Sequence, residues 1–159
     1  MKRKRNKKQG IVGDYIRSSF FGIEDSLVST TGLIAGIAVA TTDKKFIVLA
    51  GIVAIAVEAI SMAAGEFLSE ETEKDMGSAG KRTNPLIGGL IMLVSYFVAG
   101  LVPLLPVIFL PSQYALTSAI AAAVVGLFVL GYAKGKITGK SPSHSAVKVL
   151  VVGGLATLI

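Results

Sequence analysis

The chain has 159 residues, 52% of them hydrophobic, with no cysteine, a single histidine (His144) and a formal net charge of +6. Long apolar runs at this composition exclude a soluble core, and the lack of cysteine excludes both a disulfide framework and a thiolate metal site. The positive charge does not mark nucleic acid: six of the sixteen Lys and Arg residues fall in residues 2–8 and most others flank apolar segments, which is topology signalling.

Residues 1–10 run into Gly13-Asp14-Tyr15 with no short apolar core and no cleavage motif, so no cleaved signal peptide is expected. Residues 1–19 read as a basic cytoplasmic N-terminus plus a short amphipathic stretch, 11–19, suited to lie in the membrane interface. The first span is expected over 20–40. Its uncharged part, 26–42, is shorter than the roughly 20 residues a bilayer core requires, so either the span extends back through Glu24 and Asp25 or the bilayer thins locally. Glu24 reads as an interfacial residue that reaches water. The second span is expected over 46–68, followed by a short acidic loop, 69–84. Pro85 opens the third span, 86–110, which contains Pro103 and Pro106. A fourth span covers 114–133, and a basic loop leads to a final apolar segment, 146–159, short for a full crossing, so the chain either ends within its fifth helix or is truncated there. The fold class is therefore all-α, a polytopic membrane domain over 20–159 with five transmembrane helices. With the N-terminus in the cytoplasm, fourteen basic residues lie inside and only Lys44 and Lys45 outside, which favours that orientation.

Intramembrane carboxylates are costly and usually face a bundle interior on an ion or proton path. Asp25, Ser29, Gly32 and Gly36 fall on one stripe of the first helix, and Gly32-x-x-x-Gly36 is a close-packing pattern. On the second helix Gly51, Ala54, Glu58, Met62 and Gly65 share a face, with Glu66 one turn beyond Met62. At about 1.5 Å per residue, Asp25, Met62 and Glu66 fall at one depth, roughly 3–9 Å from the cytoplasmic edge, and Glu58 lies near mid-membrane. Carboxylate oxygens with one thioether suit Fe(II), Mn(II) or Co(II) better than Mg(II), and protonation of such a site releases its ion. Glu70, Glu71 and Glu73 read either as a solvated charge run or as a metal collector. Both carboxylate-bearing stripes need protein rather than lipid against them, and a two-fold axis would double each ligand, so a homodimer is expected. No nucleophile–base pair or phosphate loop is present; Ser141, Ser143, His144 and Ser145 lack an orienting acid, so no enzyme is expected.

Four stretches resemble the vacuolar iron transporter family. Gly22-Ile23-Glu24-Asp25-Ser26-Leu27-Val28-Ser29 is similar to its first-helix motif, and Ala59-Ile60-Ser61-Met62-Ala63-Ala64-Gly65-Glu66-Phe67-Leu68-Ser69 to its second. Asn84-Pro85 with Leu101-Val102-Pro103-Leu104-Leu105-Pro106 resembles the third. Gly131-Tyr132-Ala133-Lys134, Lys140-Ser141-Pro142 and Gly153-Gly154-Leu155-Ala156 resemble the fourth-to-fifth segment. The resemblance implies a dimer that moves Fe(II), and often Mn(II), out of the cytoplasm in exchange for protons. The path would lie at the dimer interface, lined by the first two helices, with Asp25, Met62 and Glu66 at family positions. The metal would be substrate, with no resident cofactor. Ser26 stands where the family usually has Gly, Glu58 where it commonly has a small residue, and loop 69–84 is too short for the helical metal-gathering domain that many members insert there. Alternatives are a passive divalent cation channel and a non-transporting assembly or regulatory protein. Minimal loops suggest a prokaryotic cell membrane.

Overall fold

The computed structural model describes residues 2–77 and 83–157, with side chains described for 10–77 and 83–156. Five helices follow one another with no strand among the described residues: α1 (Lys2–Ala40), α2 (Lys44–Asp75), α3 (Pro85–Phe109), α4 (Ser112–Thr138) and α5 (Pro142–Thr157). Residues 78–82, with Lys81 and Arg82, lie outside the described residues, as do 158–159 and the side chains of the basic run at 2–8.

Four helices are long and apolar enough to cross a membrane: α1 from Gly10, α2, α3 and α4. The expected fifth span is helical, but α5 has 16 described residues, about 24 Å against a core of about 30 Å. Two other expectations are corrected. The stretch 11–19 is not a separate interfacial helix; it continues unbroken into the span as part of the 39-residue α1. No proline interrupts it, and a helix that satisfies its own backbone can leave the membrane without a break. The acidic run is likewise not a loop. Glu and Lys are good helix formers, so α2 carries Glu70, Glu71 and Glu73 on its final turns and stops only before Gly77, at φ 68°.

Local chemistry fixes the connections. Asp43 caps α2 by accepting from the Lys45 backbone N–H at 2.9 Å, and Asn84 caps α3 by accepting from the Leu86 N–H at 3.0 Å, with Pro85 at the first helical position. The Tyr15 hydroxyl accepts from the Asn84 N–H at 2.8 Å, tying the start of α3 to α1.

α1 touches all four other helices, and α3 is wedged against α1, α2 and α4. The buried face of α3 runs Gly88, Met92, Tyr96, Gly100, Leu104, Val107, a stripe at helical spacing rich in small residues. At Gly100 an added Cβ would lie 2.8 Å from both Ile55 Cγ1 and Ser26 Oγ, so this contact admits α1 and α2 together. Two apolar clusters result. One gathers Ile34, Ile47, Ile55, Leu104, Val107, Ala115 and Ala119; the other gathers Leu27, Ala99, Leu127, Leu130 and Val149. Large apolar side chains such as Leu49, Val53, Val57, Val98, Val125 and Val129 point outward, as lipid-facing residues do.

Candidate ion path between α1 and α2

α1 and α2 are consecutive and antiparallel, yet α3 rather than direct contact holds most of their length together. Few direct contacts close this seam and α3 backs it; the open seam is the α1–α2 cleft. Glu58, Met62 and Glu66 are spaced four residues apart on α2, so they share a face. All three are half-buried, as is Asp25 on α1.

Glu58 is the most elaborately held. Its Oε2 accepts from Ser29 Oγ at 3.1 Å and from the Tyr96 hydroxyl, and the two hydroxyls lie 2.6 Å apart. Tyr96 is 1% exposed, so its hydroxyl must find a polar partner inside the bundle. Its backbone carbonyl accepts from Ser26 Oγ at 2.7 Å. The two departures noted in the sequence, Ser26 and Glu58, therefore both contact Tyr96. An ionised carboxylate offers about four acceptor positions, so these two donors leave capacity for a cation or proton.

Toward the opposite end of the cleft, Glu66 Oε1 accepts from Ser18, which is 2% exposed. Asp25 lies between the two bonded pairs. It makes no side-chain hydrogen bond among the described residues and lies near enough to Glu58 for their charges to repel. The pairs Ser18–Glu66 and Ser29–Glu58 fix the register, which sets Asp25 within about a turn of Met62. Glu66 does not share that depth, which corrects the expectation: its partner Ser18 precedes Asp25 by nearly two turns, about 10 Å along the axis. The acids thus form a ladder, Glu66, Asp25, Glu58, and not a cluster. Among the described residues no three His, Asp or Glu side chains gather to hold a metal ion.

The proposed collectors diverge. Glu70 is 6% exposed and turned toward α3, where a Cβ on Gly88 would lie 2.9 Å from its Cδ. Glu71 is exposed, and Glu73 is half-buried and engaged within the chain. Gly32 and Gly36 do not serve packing inside this chain, since a Cβ at either would meet nothing within 4 Å. Close approach occurs instead at glycines such as Gly22, Gly51 and Gly89. Glu24 lines a separate cleft with Lys134 of α4.

Tyr96 and Ser18 were not picked out from sequence. A tyrosine in the middle of an otherwise apolar span was the available signal, because its hydroxyl cannot stay unpaired in hydrocarbon. Nothing local marked Ser18, whose partner lies 48 residues away.

Four membrane-crossing helices, two of them bearing carboxylates within their spans, define a polytopic membrane protein. The family comparison is more specific. The VIT family model matches residues 16–83 and 76–159, nearly all of the chain, and the chain belongs to that family as an integral, multi-pass membrane protein. It is similar to vacuolar iron transporter 1 of Oryza sativa subsp. japonica, 26% identical over 207 residues, covering 91% of this chain and 82% of the rice protein. It is also similar to vacuolar iron transporter homolog 1 of Arabidopsis thaliana, 30% identical over 158 residues, covering 91% of this chain and 79% of that one. The rice alignment is longer than this whole chain, so the rice protein carries residues that this one lacks. These relatives are plant proteins and lend no support to the expected prokaryotic membrane.

Proposed function

We propose that this chain transports Fe(II), and Mn(II) with it, out of the cytoplasm in exchange for protons, along the α1–α2 cleft completed by a second copy of the chain. The ladder of Glu66, Asp25 and Glu58, each on the cleft and two of them held by hydroxyls, is the observation that carries this reading. The names of the rice and Arabidopsis relatives support iron as the cargo. The end of the bundle bearing Arg17, Lys74, Lys134, Lys136, Lys140 and Lys148 is the cytoplasmic one by charge asymmetry, since only Lys44 and Lys45 mark the other. Metal would enter past Glu66, meet Asp25 and Met62, and leave beyond Glu58.

One chain supplies too few ligands at any one depth to strip a divalent ion of water. A two-fold axis along the open face of α1, where Gly32 and Gly36 are uncovered, would set a second Asp25 and Met62 beside the first. Protons competing for the same carboxylates would couple the two fluxes. The two matched segments of the family model meet at 76–83, between α2 and α3, which supports that connection as the place where longer relatives carry their extra residues. Capture here would then fall to the ladder itself.

The test is Fe(II) and Mn(II) entry into proteoliposomes that enclose a pH dye. The native chain should admit metal while protons leave, and Asp25→Ala should abolish both with folding intact. Metal entry without proton movement would instead establish a channel. No flux in the native chain would return the scaffold to a non-transporting role.

A further inference from the structure

We infer that the chain carries a surface site for a phospholipid with a negatively charged, hydroxyl-bearing headgroup, on the side of α1 away from the acid ladder. An apolar trough of about 940 Å³ lies between α3 and α4 over α1, walled by residues such as Val98, Val125 and Val129. Among the described residues, Ser95 is the only polar one that lines it. Ser95 lies 2.9 Å from Ser19, so its hydroxyl is already engaged. Such a surface suits acyl chain and has nothing to offer water or an ion.

The trough adjoins a cleft at the basic end whose lining mixes apolar and charged side chains. Phe20 lines both, and Ala133 at the end of the trough is followed by Lys134 in the cleft. This cleft has two lobes, of about 380 and 440 Å³, that share Glu24, Lys134 and Thr138. Around them stand Arg17 from α1, Lys134 from α4, Lys140 from the α4–α5 turn, and His144 and Lys148 from α5. Four cations thus face one carboxylate, and they come from three helices and a turn.

Charge and shape together select the occupant. A soluble anion would use the cations and leave the trough unfilled. A zwitterionic lipid would fill the trough and gain little from the excess positive charge. A phospholipid whose phosphate is not balanced by an ammonium uses both, and Glu24 and Thr138 remain to take hydrogen bonds from headgroup hydroxyls. A lipid held there would contact α1, α4 and α5 together.

The test titrates the protein in detergent with phosphatidylglycerol and with phosphatidylcholine, read by native mass spectrometry. Phosphatidylglycerol should bind the native chain preferentially. Lys134→Ala/Lys148→Ala should weaken it by about thirtyfold, at roughly fivefold per surface cation. Lys134→Arg/Lys148→Arg should retain it, and Val125→Trp, which fills the trough, should lose it without change in the circular dichroism spectrum. Equal binding of the two lipids, or undiminished binding to the alanine pair, overturns the inference. Displacement of phosphatidylglycerol by millimolar inorganic phosphate alone also overturns it, in favour of a soluble-anion site.

Discussion

Two seams between consecutive helices follow opposite rules. α4 and α5 meet backbone to backbone: a Cβ on Gly131 would lie 2.6 Å from Ala146 Cα, and one on Gly135 2.6 Å from Pro142 Cα. α1 and α2 make much less direct contact, and their cross-helix hydrogen bonds are serine to glutamate. In a membrane, close packing of small residues is what joins helices firmly. A seam without it can hold acids, water and an ion, provided a third helix carries the structural load. α3 does so here through Gly88, Gly89 and Gly100, which lets α1 and α2 stay apart.

Breaking the tight seam should cost most. Gly131→Val drives a branched side chain into the α5 backbone, and overpacking of this kind costs about 1–3 kcal/mol, with more where backbone must move. Its melting temperature in detergent should fall furthest of any single change considered. Tyr96→Phe should come next. It removes one of two donors to Glu58 while preserving shape, for a loss of about 1–3 kcal/mol, and it should lower metal flux without altering the helical spectrum. Asn84→Ala removes the α3 cap and should cost about 1 kcal/mol by the same melt, with flux unchanged. The smallest effect on folding is expected on the open side of the loose seam. Gly36→Cys meets nothing within 4 Å in its own chain, so the melt should hold. In a chain with no other cysteine, mild oxidation of this variant should yield a disulfide-linked dimer, and a purely monomeric product would remove the two-fold axis from the account.

Much of this architecture was legible in the sequence because the membrane constrains it heavily. Apolar runs had to be helices, and Asn84-Pro85 opened the third where the structure does. The misjudged boundaries lay outside the apolar runs, at 11–19, 69–75 and in the basic stretch 134–145, where α4 runs on to Thr138 and α5 starts at Pro142; water tolerates helix and loop alike there. The candidate acids were readable from their cost in hydrocarbon. Their arrangement was not, because it depends on register. Counting rise from assumed membrane edges placed Glu66 level with Asp25; the Ser18–Glu66 and Ser29–Glu58 pairs separate them. The glycine pattern misled for a related reason. Gly32 and Gly36 fit a packing motif, but sequence does not say which neighbour a face meets, and within one chain they meet none.

The central claim is that water and metal reach the middle of the α1–α2 cleft. The native chain has no cysteine, so a single Met62→Cys reports on that point alone. Its rate of reaction with a membrane-impermeant thiol reagent should be measured with and without Mn(II), beside Val129→Cys on the lipid-facing side of α4. Met62→Cys should be labelled, Mn(II) should slow the labelling, and Val129→Cys should not be labelled. An inert Met62→Cys, or labelling indifferent to Mn(II), would contradict a metal path through this cleft.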